Sequence, residues 1–238
     1  MLLSDEEITN LYVTTVKRPA EYFELYQVLP PCPVASWNYS WNGRDFPRTR
    51  IILDFRDWIN KYGIVSNDIG VTCKNDPEVE FIPYTTLTEI PYPPNDLHVV
   101  GETYPSSFDF FLFSQTLEHL QDPSVAIKSV YETLKPGGYC FTSVPTINIP
   151  HSTPYHYGGY NPMGLAIMFV HAGFEIKEIG QWGNRAYIAK MFEMGCWPDY
   201  AQIQQNGVVT NEEFNVCQCW ILAQKPVLSN NKDDSRVR

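Results

Sequence analysis

The sequence predicts an α/β fold: a mostly parallel central sheet with an antiparallel last strand and helices on both faces. Three observations carry the prediction. From Gly63 onward, short strand-like runs alternate with helical stretches, the pattern of strand–helix–strand units. Residues 108–114 (FDFFLFS) are almost continuously apolar, as a strand covered on both faces must be. Residues 174–179 and 216–223 read as a closing antiparallel pair.

The elements follow in chain order. Ser4-Asp5-Glu6-Glu7 has the form of a capping box, with Ser4 as N-cap and Glu7 three residues on, and predicts a helix to about Lys17. Residues 21–28 read as a second short helix, ended by Pro30-Pro31-Cys32-Pro33. Residues 37–43 (WNYSWNG) are a loop rich in aromatics. Pro47 opens the next helix, in which Ile51, Ile52, Phe55, Trp58 and Ile59 recur at helical spacing to about Tyr62. Residues 1–62 are therefore expected to form a helical extension or lid. Residues 63–227 are expected to form the core, and 228–238 a disordered tail of mixed charge. Within the core, strands are expected at 69–73, 87–92, 97–100, 108–114 and 139–144. A helix is expected at 123–134, with Val125, Ile127, Val130, Tyr131 and Leu134 inward, stopped by Lys135-Pro136-Gly137-Gly138. Another is expected at 162–172, ending at Gly173.

Composition narrows the function. A chain of 238 residues that is 44% hydrophobic can build one full α/β core. Its 14% aromatic content suits packing and also a pocket for a flat ligand. The formal net charge of −10 disfavours nucleic acid and anionic membranes, which call for a basic surface. No apolar run approaches the roughly 20 residues of a membrane helix. The start turns acidic at once, unlike a signal peptide. The six cysteines (32, 73, 140, 196, 217 and 219) include no Cys-x-x-Cys pair. They read as reduced thiols of a cytoplasmic protein, with Cys217 and Cys219 sharing one strand face.

Three motifs then occur in order. Ser107 to Pro123 runs FD, a hydrophobic strand, Leu117-Glu118-His119, and Asp122-Pro123 at a helix start. Leu134-Lys135-Pro136-Gly137-Gly138 precedes a strand, and a helix ending at Ala172 is followed by Gly173-Phe174. Together they resemble the fourth-strand, fifth-strand and sixth-strand regions of class I S-adenosylmethionine (SAM)-dependent methyltransferases, over about residues 65–226. The resemblance implies a Rossmann-like sheet, SAM as cofactor, and methyl transfer to a small-molecule or glycan hydroxyl or amine. It departs at the first strand. Relatives end that strand with an acid and a G-x-G turn, whereas Asn67 to Glu78 (NDIGVTCKNDPE) holds one glycine. That departure admits an alternative: an inactive protein of this fold that binds a ligand or a protein partner.

Site candidates follow from topology and resemblance. Ligands of open α/β sheets bind beyond the carboxyl ends of the strands, at the switch in strand order. The loop with Thr72, Asn75 and Asp76 is expected to present backbone N–H groups to a carboxylate, with Asp76 as N-cap and Pro77 at the first helical position. The resemblance implies Glu89 for the ribose and Asp96 for adenine. The bland readings are a solvent-facing strand residue and a turn residue. Ser114, Gln115, Thr116 and Leu117 sit where the FDFFLF strand ends, whereas Asp109 begins it and is read as structural. For a base, neutral imidazole suits a hydroxyl near pH 7. The candidates are His151 and His156, in the polar and aromatic loop 145–160, and His119, which could equally be a packing residue. Residues 181–185 (QWGNR) extend this wall or are a plain turn. No metal is expected, because Gln115 replaces the first acid of the E-x-x-E-H pattern that some relatives use.

Overall fold

The computed structural model describes residues 46–151, 155–199 and 210–227, together with residues 3, 4, 6, 7, 10 and 202. The expected helix at 21–28, the loop 37–43 and the tail 228–238 lie outside the described residues. At the start, the capping box is formed. The Ser4 N–H and hydroxyl donate to Glu7 Oε2 at 2.7 and 2.8 Å, and the Glu7 N–H donates back to Ser4 Oγ at 3.3 Å.

Six strands form one sheet: β1 (Asp68–Val71), β2 (Thr86–Glu89), β3 (Phe108–Leu112), β4 (Leu134–Pro145), β5 (Glu175–Trp182) and β6 (Gln218–Gln224). Their order is β2-β1-β3-β4-β6-β5. β1 is parallel to β2 and β3, and β3 is parallel to β4. β6 runs antiparallel to both β4 and β5. The last strand is thus the one that runs against the rest, as expected, and it lies inside the sheet.

Alternation along the strands divides the core in two. Phe110 and Leu112 of β3, with Trp220 and Leu222 of β6, face helix α1 (Phe46–Tyr62) through its buried Ile51, Phe55 and Ile59. Phe111 of β3 and Ile221 of β6 face the other way, with Phe113 just past β3 on the same side. They pack on α3 (Pro123–Thr133) and α4 (Pro162–Ala172), where Ala126, Ile127, Val130, Leu165 and Phe169 are buried. Helices therefore cover both faces, and the periodicity of 51–62 reports the stripe of α1 that meets the sheet. A further helix, α5 (Arg185–Met194), joins the α1 side through Tyr187 and Met191.

Several expectations need correction. Residues 97–100 form no strand. Leu97 and Val100 are buried, but the chain turns into the short helix α2 (Val100–Thr103), which packs beside α3. The family's fourth strand is consequently the third strand here. Residues 181–185 do not line the cleft described below: Gln181 and Trp182 end β5 with Trp182 buried, and Gly183 and Asn184 lead into α5, which Asn184 Oδ1 caps by accepting from the N–H groups of Ala186 and Tyr187. Val125 points outward on α3 and is 44% exposed. Cys217 and Cys219 lie in opposite halves of the core, because β6 begins only at Gln218. Lys135-Pro136-Gly137-Gly138 lies within β4, not between helix and strand. Gly137 there adopts φ +85°, the turn conformation that favours glycine.

Asp109 is structural, as expected. Its Oδ2 accepts from the N–H groups of Asn67 and Asp68 at 3.1 and 3.0 Å, and Lys135 lies 3.2 Å away. Among the described residues, no helix is long and apolar enough to cross a membrane.

Candidate active site

The chain leaves β1 for β2 on one side and later returns to β3 on the other. At such a reversal the connecting loops diverge and leave a crevice at the strands' carboxyl ends. A cleft of about 710 Å³ lies there, the size of a small-molecule site. Thr72, Cys73 and Asp76 line it after β1, and Ile90, Tyr92, Asp96 and Leu97 after β2. Ser114, Gln115, Thr116, His119 and Leu120 line it after β3, and Tyr155 and Tyr157 after β4. Leu3 and Ser4 close one side. Leu3 is held by a reciprocal pair: its N–H donates to Gln121 Oε1 at 2.9 Å, and Gln121 Nε2 donates to the Leu3 carbonyl at 2.7 Å.

Most cofactor candidates converge on this cleft, but not all. Asn75 and Leu117 are not among its lining residues, and Leu117 is wholly buried. Nor is Glu89, which ties back to Lys74: its Oε1 accepts the Lys74 N–H at 3.2 Å and its Oε2 lies 3.0 Å from Nζ. The loop after β1 offers fewer N–H groups than expected. Those of Thr72 and Asp76 donate to the carbonyls of Leu112 and Cys73, and that of Lys74 goes to Glu89. Gly70 lies inside β1 and serves packing. A Cβ there would meet Phe111 and Phe108 carbons at 2.8 and 2.9 Å.

Asp76 does not cap the short 3₁₀ helix Pro77–Phe81 through its side chain. It faces Arg48 of α1 at 3.6 Å instead. Arg48 also donates to both oxygens of wholly buried Glu78, at 2.6 Å from Nη2. Ser114 Oγ donates to the same carboxylate at 3.1 Å. Burial pushes the Asp76 carboxyl up to about 7, Arg48 draws it down, and Glu78 pushes it up again. Sequence reasoning gave no role to Arg48, which falls in no motif, or to Glu78, which closes the first-strand stretch 67–78.

Gln115 sits at φ +50°, a left-handed conformation that costs a non-glycine residue on the order of 1 kcal/mol. Its N–H donates to the Ser143 carbonyl at 2.8 Å, and its Nε2 donates to Ser143 Oγ and Gln218 Oε1, each at 2.9 Å. These bonds hold the turn that carries Thr116 and His119 into the cleft. Asp96 Oδ1 accepts from the His98 N–H at 2.9 Å and lies 2.6 Å from His98 Nδ1.

The three base candidates form one cluster. Ring centroids of His119 and His151 are 4.8 Å apart, those of His151 and His156 4.7 Å, and those of His119 and His156 5.7 Å. Only His119 of the three lines the cleft. Burial, then the charge of His151, pulls the His119 imidazole down, against the Tyr155 carbonyl, which holds it up. Burial and the two neighbouring imidazoles pull His156 down to about 4. Glu118 beside His119 is wholly buried, and burial pushes its carboxyl up to about 8.

A doubly wound sheet with its cleft at the switch point defines an α/β protein that binds a small, nucleotide-like ligand. Residues 22–194 match a family described as a methyltransferase domain, and the chain belongs to that family, whose cofactor is S-adenosyl-L-methionine. The chain is 27% identical over 123 residues to a ubiquinone biosynthesis O-methyltransferase of Pseudomonas putida (strain W619), covering 51% of this chain and 47% of that protein. It is 25% identical over 130 residues to an enzyme of the same name from Xanthomonas euvesicatoria pv. vesicatoria (strain 85-10), covering 44% and 54%. The chain thus spans about half the length of these relatives. The structure of a putative sarcosine dimethylglycine methyltransferase from Galdieria sulphuraria superimposes with a TM-score of 0.52 at 9% identity. The match covers 87% of this chain and 97% of that one, a likeness of fold.

Proposed function

We propose that this chain transfers the methyl group of SAM to an oxygen of a small molecule or sugar at the mouth of the cleft, with an imidazole of the histidine cluster taking the proton. The observation that carries this reading is the position of His119, which lines the cleft and joins His151 and His156 in one cluster. The names of the O-methyltransferase relatives favour oxygen over nitrogen as the acceptor atom.

The cleft fits the cofactor's charge. SAM carries a sulfonium, an ammonium and a carboxylate, a net positive charge. The described lining holds Asp76 and Asp96 and no lysine or arginine. Tyr92, Tyr155 and Tyr157 offer ring faces that attract a cation, and Ile90, Leu97 and Leu120 offer an apolar surface to a flat base. Bound SAM supplies an electrophilic methyl group. The protein's part is to align the acceptor and remove its proton. A carbonyl can only accept, so Nδ1 of His119, 3.1 Å from the Tyr155 carbonyl, carries the hydrogen. The Nε2 lone pair is left to take a hydroxyl proton. This reading places the protein in a reducing compartment such as the cytoplasm, where cysteines scattered without a Cys-x-x-Cys pair stay as thiols.

A second reading is favoured by the first loop, where N–H groups and Arg48 are already engaged by the protein itself. On that reading the chain binds a ligand or protein without transferring methyl. Calorimetric titration with SAM and S-adenosylhomocysteine, followed by labelled-methyl transfer to a panel of phenols and sugars, decides between them. Binding with transfer is expected. Absence of both heat and thermal stabilisation at millimolar SAM overturns the cofactor assignment. Binding without any transfer favours the inactive reading.

A further inference from the structure

Two loops far apart in sequence bring three imidazoles together. His119 ends the short 3₁₀ turn Leu117–His119 after β3, while His151 and His156 follow β4. One ring nitrogen of each lies within 4.8 Å of one on each of the other two.

Two of the rings are tied to the backbone through one nitrogen each. Nδ1 of His119 and Nδ1 of His151 donate to the carbonyls of Tyr155 and Ile149, at 3.1 and 3.0 Å. That fixes the neutral tautomer with its lone pair on Nε2. Histidines that bind metals are held in the same way, by an outer N–H on a backbone carbonyl. Trp197 packs edge-on against His151 at 5.4 Å, and its Nε1–H donates to Asn148 Oδ1 at 2.6 Å, which fixes the indole in turn.

An independent observation lies next to the cluster. Glu118 is wholly buried, with Oε1 3.8 Å from His119 Nε2, and neither oxygen has a hydrogen-bond partner among the described residues. A buried carboxyl left without hydrogen bonds is costly. Beside three neutral donors, it favours a positive charge between them.

We propose that His119, His151 and His156 bind one divalent transition-metal ion of the Zn²⁺, Co²⁺ or Ni²⁺ class, with Glu118 as its buried counter-charge. Nitrogen donors suit these ions rather than Mg²⁺ or Ca²⁺, which take oxygen. Metal–nitrogen bonds of about 2.0–2.1 Å in a tetrahedral site place the nitrogens roughly 3.3 Å apart. Side-chain rotation on the loops must therefore draw the cluster in by about 1.5 Å at its widest. The set differs from the E-x-x-E-H pattern. Two ligands come from the loop after β4, and Gln115 is turned into Ser143 and Gln218.

Three protein ligands leave a fourth position, and His119 brings it to the edge of the cleft. An ion there changes the chemistry. With an ion bound, the Nε2 lone pair of His119 is taken up by the metal, so the ion would replace the free imidazole named above as the group that activates the acceptor hydroxyl. Such an ion lowers the pKa of a bound water to about 7; the hydroxyl proton leaves to solvent. The inference rests on the acceptor side of the proposed reaction, and of the residues offered to SAM it uses only the backbone carbonyl of Tyr155.

The test is titration of the full chain, stripped with chelator, with Zn²⁺ by calorimetry and with Co²⁺ by visible absorption, without SAM. One ion per chain is expected, with a Co²⁺ spectrum of imidazole ligation. His119→Ala, His151→Ala and His156→Ala are each expected to weaken Zn²⁺ binding by about 100-fold or more, beyond the 10–100-fold that outer partners of a ligand contribute. Circular dichroism checks that each variant is folded. A thiolate-to-Co²⁺ charge-transfer band in the unaltered chain would assign the ion to cysteines and overturn the proposal without any variant. So would the absence of stoichiometric binding, or affinity unchanged in all three folded variants. SAM titration of the same preparations shows separately whether the donor site holds.

Discussion

The two walls of the cleft are built on opposite principles. The wall after β1 is closed on itself. The N–H groups of Thr72, Lys74 and Asp76 all have protein acceptors, Glu89 is tied to Lys74, and Arg48 is clamped on Glu78. The wall after β3 and β4 ties Gln115 and one nitrogen each of His119 and His151 to the protein but leaves other polar groups uncommitted. Three imidazoles present ring nitrogens to one another, and the Glu118 carboxyl has no hydrogen bond among the described residues. The first wall is a rigid floor whose polar groups are used for stability. The second is where polar groups remain for chemistry. Substitutions in the first wall should therefore change folding, and those in the second should change turnover.

The largest effect is expected at the open wall. His119→Ala should lower methyl transfer by about 10²–10⁴-fold, the usual contribution of a proton-transfer group. The SAM dissociation constant should change little, because the donor is assigned to other residues. Equal loss of SAM binding, read by calorimetry, would move His119 to the cofactor wall and break the contrast.

Arg48→Ala tests the closed wall. It leaves Glu78 buried without its cation, which costs about 3–5 kcal/mol when one partner of a buried pair is removed. A large drop in the urea midpoint is expected. A midpoint near that of the unaltered chain, with SAM binding abolished, would show that Arg48 serves the ligand instead. Gly70→Ala should cost less, about 1–3 kcal/mol for overpacking against Phe111 and Phe108. Chemical denaturation reads it, and an unchanged midpoint would mean that both rings give way.

A further effect is one of pH. The Asp76 carboxyl is raised in the folded protein from 3.8 to about 7, chiefly by burial. Its contribution to stability is fully present below 3.8 and is lost as pH rises to about 7. Asp76→Asn cannot ionise, so its melting temperature relative to the unaltered chain should climb across that window. A difference independent of pH would place the Asp76 carboxyl in its ordinary range.

Much of the sheet was legible. Continuous apolar character at 108–114 marked β3, and the helix at 162–172, closed by Gly173, formed with those bounds. Residues 97–100 misled because a short stretch with Leu97, Val99 and Val100 serves a strand or a buried helical turn equally well. Helix α5 carried its own signal, Asn184 before RAYIAKMFEM, which the neighbouring Gly183 disguised as a turn. The site was legible only where one strand end supplied it, as with Ser114, Gln115 and Thr116. Arg48 of α1 meets Glu78 of the loop after β1, and His119 after β3 meets His151 and His156 after β4. Such convergence depends on tertiary approach, which no local pattern encodes.

The position of β6 has a consequence for synthesis. β5 pairs with β6 and not with β4, so the half-sheet beyond β4 has no continuity until residues 218–224 are available. A nascent chain that has delivered β5 still holds two unpaired strand edges, one on β4 and one on β5, both open to wrong partners. A ribosome-released chain cut before Gln218 should therefore aggregate through those edges, and the native sheet should close only when the final strand slides between them.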